Sequence, residues 1–139
     1  MQPALEAVAR LLGHRCADAA LLQRALTHAS VFPSGMGAAE RRDRTNERLE
    51  FLGDAVLTAV VAQGLHSRHP QLDEGQLSRL KSRLVSRATL ARVAGPTGLL
   101  DHARVGTHLR TPWPDSVKAN LVEAILGAIH LDGAEDGLD

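Results

Sequence analysis

The sequence predicts an all-α fold. Apolar residues recur at three- and four-residue spacing through most of the chain, beginning with Leu5, Val8, Leu11 and Leu12. No stretch alternates apolar and polar residues over the length of a strand. Gly and Pro residues punctuate the periodic segments, at Gly13, Pro33 to Gly37, Pro70 and Gly95-Pro96. With 139 residues the chain fits one domain, and 44% apolar with 23% charged residues is the balance of a soluble globular protein. Phe32, Phe51 and Trp113 are the only aromatics, so the core must be aliphatic. No apolar run approaches membrane-spanning length, and the N-terminus lacks the basic-then-apolar pattern of a signal peptide. Cys16 is the single cysteine, which excludes an intrachain disulfide and is compatible with the cytoplasm. A net charge of zero argues mildly against a nucleic-acid partner, so any such role must come from local patches.

The elements follow in order. A first helix ends at Gly13. A second is expected from about Asp18, a capping residue, to Ala29, with Leu21, Leu22, Ala25 and Leu26 apolar. Val31 to Gly37 reads as a loop, followed by the charged stretch Glu40-Arg41-Arg42-Asp43-Arg44. Thr45 or Asn46 can cap the longest helix, which runs to about His69 before Pro70. Its middle, Leu49 to Val61, is almost wholly apolar, which predicts a central helix buried on nearly all faces. Asp73 is expected to cap a helix from Glu74 to about Ala94, ended by Gly95-Pro96. The segment from Thr97 to Pro114 has room for one short helix, and a final helix spans about Asp115 to Leu131.

The central helix carries acids where apolar residues belong. Glu47, Glu50 and Asp54 stand at i, i+3 and i+7 and therefore share one face. Like charges repel, and burial penalises each further. A divalent cation held by oxygen ligands resolves both problems. The alternative is an exposed acidic stripe, or acids paired with Arg48 and its neighbours. The last helix repeats the pattern, with Asn120 and Glu123 at i and i+3 and Glu123 inside the apolar run Leu121 to Ile129. Two such helices can face each other across one ion, and Gly53 and Gly127 would allow a close backbone approach. A salt bridge from Glu123 to Lys118 or Arg48 is the competing reading.

Arg79, Arg83 and Arg87 recur every fourth residue and would form a basic stripe suited to phosphate contacts, or simply a solvated helix face. None of the seven histidines makes a metal-ligand spacing, so no zinc site is expected. Cys16 reads as a small core residue rather than a nucleophile.

Asn46-Glu47-Arg48-Leu49-Glu50-Phe51-Leu52-Gly53-Asp54-Ala55-Val56-Leu57 closely resembles the signature of the ribonuclease III family. Ala25 to Ser30, Asp73 to Ser78 with Leu84 to Ser86, and Glu123 to Gly133 resemble three further family blocks in order and spacing. The resemblance covers nearly the whole chain. It implies an all-helical, homodimeric endonuclease domain that cuts double-stranded RNA. It makes Glu50, Asp54 and Glu123 ligands of a catalytic magnesium, for which manganese can substitute, and Glu47 and Glu74 auxiliary acids beside the RNA. It places Phe51 at the dimer interface, against the plain alternative of a core aromatic, and leaves His28 and Ser30 as structural residues. The implied products carry 5′-phosphate and 3′-hydroxyl ends, with RNA processing, including that of ribosomal RNA, as the setting.

Two departures qualify the resemblance. Asn120 stands where the family usually has an aspartate ligand, and an amide oxygen brings no negative charge to the ion. This keeps open a catalytically weakened, RNA-binding or ribosome-associated relative. No double-stranded-RNA-binding domain follows in these residues. The chain therefore reads as a truncated full-length enzyme, or as a stand-alone domain like the short Mini-III members.

Overall fold

The computed structural model describes residues 2–135. Among them the chain is helical, without strands: α1 (Gln2–Leu12), α2 (Ala19–Ala25), α3 (Ala38–Arg44), α4 (Glu47–Arg68), α5 (Glu74–Leu84), α6 (Arg87–Thr97) and α7 (Asp115–Glu135), with 3₁₀ turns at Ala29–Val31 and Leu99–His102. The two longest helices, α4 and α7, pack along each other and organise the rest. α6 and α2 lie on α7, and α5 on α4. The core is aliphatic, as the composition requires. Val8, Leu22, Ala25, Leu26, Leu49, Ala124, Ile125 and Ala128 form one cluster, and Cys16 packs partly buried against it.

The α4–α7 contact depends on glycine. A Cβ at Gly53 would lie 1.6 Å from the Glu123 carbonyl oxygen, and one at Gly127 would lie 2.3 Å from the Leu49 carbonyl oxygen. Neither clash can be relieved without separating the two backbones, because both neighbours are main chain. The close approach anticipated from Gly53 and Gly127 is therefore present.

Several elements differ from the sequence expectation, each for a local reason. α2 stops at Ala25 rather than Ala29, because the following residues pair with a distant segment. Arg104 donates to the Leu26 carbonyl at 2.7 Å and His28 donates to the Arg104 carbonyl at 2.9 Å. The charged stretch Glu40 to Arg44, to which the sequence assigned no element, lies in α3, with its last carbonyls beside Arg41, Arg42 and Arg44, where the helix dipole favours cations. The helix expected from Glu74 to Ala94 is two. The Asp73–Gln76 capping box starts α5 as anticipated, but Ser86 restarts the chain by accepting from the Thr89 amide. Gly95 and Pro96 lie inside α6, which ends at Gly98 in the left-handed conformation at φ 77°. Asn46 sits at the start of α4 but makes no side-chain cap; Thr45 Oγ1 instead accepts from the Glu47 amide at 3.5 Å.

The expectation of an all-round buried α4 is also corrected. Leu49, Gly53 and Leu65 are buried, yet Phe51 is 82% and Val60 61% exposed. Phe51 is thus not a core aromatic of this chain. None of the described helices is long and apolar enough to cross a membrane.

Candidate metal centre

The glycine crossing sets the site. Glu50 lies on α4 about one turn before Gly53 and Asp54 directly after it, and the Glu123 carbonyl is the atom against which Gly53 packs. The carboxylates of two helices are thereby brought to one place. Glu123 is only 9% exposed, Glu50 is half-buried, and Asp54 is exposed. Asn120 is half-buried one turn before Glu123 on α7.

Burial and the neighbouring charges of Asp54 and Glu50 push Glu123 up from 4.5 to about 7. Glu50 is raised as well, by burial and then by Glu47 and Asp54. Arg87 opposes both shifts. A shift this large marks a carboxylate placed among other acids at a cost, which is the condition a bound cation relieves. The donor set, three carboxylates with an amide alongside, is all oxygen and fits a hard divalent ion. The three carboxylates do not all lie within 4.8 Å of one another.

The other anticipated residues are placed as follows. Glu47 stands in the first turn of α4 but is taken by Arg41, whose Nε and Nη2 donate to its carboxylate at 2.8–3.1 Å. That hydrogen bonding holds Glu47 below the usual carboxylate range. Glu47 is thus ion-paired, with Arg41 and not with Arg48. Glu74 is exposed in the first turn of α5 and accepts from Ser78 Oγ at 2.7 Å. The basic stripe is broken by the helix break: Arg79 and Arg83 lie on α5, whereas Arg87 begins α6 and faces the acids. All three arginines are exposed.

Two polar networks complete the picture, and the one at Asp132 has no counterpart among the sequence expectations. Asp132, 3% exposed, accepts from the Ala17 and Asp18 amides and from His14 Nε2 at 2.8–3.1 Å. His28 Nδ1 and Ser30 form a second network that reaches the Gly106 amide. Burial lowers the His28 pKa, and the arrangement agrees with the structural role expected for both residues. The links from His14 to Asp132 and from Gly106 to Ser30 have no signal in local spacing, since they join residues 118 and 76 apart.

Solved nuclease domains share this architecture. The nuclease domain of ribonuclease III from Campylobacter jejuni is similar at a TM-score of 0.79 and 34% identity, over 95% of this chain and 86% of that one. Dicer from Pichia stipitis is similar at 0.62 and 27% identity, over 89% of this chain and 49% of that one. The fold is that of a ribonuclease III nuclease domain. The Ribonuclease-III-like family profile matches residues 18–138. Ribonuclease 3 of Azotobacter vinelandii is 44% identical over 135 residues, 95% of this chain and 55% of the relative. Ribonuclease 3 of Bordetella petrii is 46% identical over 131 residues, 90% of this chain and 47% of the relative. The chain belongs to the ribonuclease III family. It spans about half the length of the curated relatives it matches.

Proposed function

We propose that residues 1–139 are an endonuclease domain that hydrolyses phosphodiester bonds of double-stranded RNA, with Mg2+ as its cofactor and Mn2+ as a substitute. The observation that carries this reading is the meeting of Glu50, Asp54 and Glu123 at the glycine crossing, with Glu123 pushed to about 7. These three, with the Asn120 amide, would hold the ion. When bound, the ion supplies Lewis acidity that eases proton loss from water and offsets charge on the phosphate.

The protein's own groups do the rest. Glu123 changes protonation near neutrality, so it would give up its proton to hold the cation. Arg87, whose charge opposes the upward shifts of Glu50 and Glu123, would offset charge on a bound phosphate. Arg79 and Arg83 line the exposed side of α5 for backbone contacts, which position a duplex without reading its sequence. Glu74 and Glu47 are the auxiliary acids, with Glu47 orienting Arg41. A-form RNA is recognised by shape and 2′-hydroxyls across its shallow groove. The products carry 5′-phosphate and 3′-hydroxyl ends.

The exposed face of α4 supports a homodimer. Phe51, 82% exposed, borders a groove of about 690 Å³ that includes Arg48, Leu52 and Leu131, and a two-fold partner would cover it with the same face. A crystal structure of the Campylobacter jejuni nuclease domain concerns a region involved in dimer formation. The setting of this activity is RNA processing, ribosomal RNA included, in the cytoplasm.

Labelled duplex and single-stranded RNA, incubated with Mg2+ or Mn2+, test the proposal. Wild-type protein should cut the duplex only, and Glu123→Gln should cut at least about a hundredfold more slowly. Asn120 favours one second reading, an RNA-binding relative with weakened catalysis. Duplex binding without metal-dependent cutting by wild type would establish that reading and overturn the first.

A further inference from the structure

We propose that His14, Cys16 and Asp132 form a second metal site, distinct in place and chemistry from the acids at the α4–α7 crossing, that takes a borderline-soft transition-metal ion such as Zn2+. One ligand atom from each residue lies within 4.8 Å of the other two. Histidine nitrogen, thiolate sulfur and carboxylate oxygen are the ligand types zinc takes, at bond lengths of roughly 2.0–2.3 Å. A tetrahedral ion with such bonds separates its ligands by roughly 3.3–3.8 Å, so the side chains need only small adjustments.

The surroundings are those of a preset ligand shell. Gly13, at φ 62°, turns the chain out of α1 and delivers His14 and Cys16 to the same side. Asp132 is fixed from behind: the Ala17 amide holds Oδ2 at 3.1 Å and the Asp18 amide holds Oδ1 at 3.0 Å. Outer hydrogen bonds of this kind orient a ligand and keep it ionised. His14 already bonds Asp132 Oδ2 at 2.8 Å, so the ion would take the bridging place of a proton. Cys16 is partly buried against the core and its thiol is unpaired. On binding, the thiol proton leaves to water, and thiolate plus carboxylate neutralise the divalent charge. His14 keeps a third of its side chain exposed, which leaves an open side for a fourth ligand from solvent.

The site ties the α1–α2 junction to the end of α7, and an ion there would stabilise that junction. Its ligands are soft and mixed, whereas those at the crossing are all oxygen, so the two sites sort ions by chemistry. No local motif announces it, because His14 and Asp132 are 118 residues apart.

Co2+ is the probe, added to the full chain in excess Mg2+ so that the acids at the crossing are occupied. One equivalent should give a near-ultraviolet thiolate-to-cobalt absorption, and Zn2+ should abolish it by displacement. Cys16→Ala should remove the band, and His14→Ala should weaken cobalt binding at least tenfold. Helical circular dichroism checks that each variant folds. Zn2+ should raise the Tm of wild type but not of Cys16→Ala, and duplex cleavage in Mg2+ should be unchanged by Cys16→Ala. No thiolate band on wild type, the same band on Cys16→Ala, or an equal Zn2+ effect on both melting temperatures would overturn the proposal.

Discussion

Helix α7 carries two buried carboxylates nine residues apart, and they live under opposite conditions. Asp132 is met by two main-chain amides and an imidazole, and these donors hold it below the usual carboxylate range. Glu123 is met by Asp54 and Glu50, and is driven up to about 7. Burial is common to both; what differs is whether the fold itself supplies positive partners. A carboxylate satisfied by fixed donors anchors the structure. One surrounded by its own kind stores a cost that a proton or a mobile cation removes.

The largest effect should come from closing the glycine crossing. Gly53→Ala drives a methyl group into the Glu123 main chain, so α4 and α7 must separate. Chemical denaturation should show a loss of about 3 kcal/mol or more, or no cooperative folding. Gly64→Ala on the same helix, where nothing lies within 4 Å, should cost nothing and controls for the substitution itself.

Next, neutralising the two carboxylates should move metal-free stability in opposite directions. Asp132→Asn removes an ionised acceptor from three donors and should cost about 2 kcal/mol at neutral pH. Glu123→Gln removes an unwanted charge and should gain about 1 kcal/mol at pH 8, part of the repulsion being screened by water. The pH windows also separate them. Asp132 has a depressed folded pKa, so its contribution is present above the unfolded value and lost as pH falls through the folded one. Glu123 has a raised folded pKa, so its protonated form favours the fold below 4.5 and that advantage is lost as pH rises through about 7. Urea unfolding of both variants between pH 4 and pH 8 checks each sign.

Mg2+ affinity should follow Glu123 first, since it is the carboxylate driven to about 7. Below pH 7 the ion must displace its proton, so affinity should fall up to tenfold per pH unit by calorimetric titration, flattening above pH 7. The smallest effect belongs to Asn120→Asp. An added negative charge beside the ion should tighten Mg2+ binding about fivefold, roughly 1 kcal/mol. Duplex cleavage at limiting Mg2+ should rise in step, and an unchanged rate would mean that Asn120 does not face the ion.

The helices and the acid positions were legible in the sequence because both are written in local spacing. Glu50, Asp54 and Glu123 stood out as charges in apolar runs, and Gly53 and Gly127 as the small residues that let two helices meet. What was illegible depends on partners far along the chain. Thr27 and His28 leave the helix to pair with Arg104, Glu47 is claimed by Arg41 across a helix junction, and Asp132 waits for His14. The exposed side of α4 misled for the same reason: an apolar face is written alike whether it meets its own chain or another. Ser86 shows the limit on a smaller scale, where one capping hydroxyl ends a continuous periodicity and turns Arg87 from the α5 stripe toward the acids.

The central claim is one shared divalent ion between α4 and α7. A crystal soaked in Mn2+ and measured at the manganese absorption edge tests it directly. The account predicts an anomalous peak contacted by carboxylate oxygens of Glu50, Asp54 and Glu123. Manganese bound elsewhere, or held by one helix alone, would contradict it.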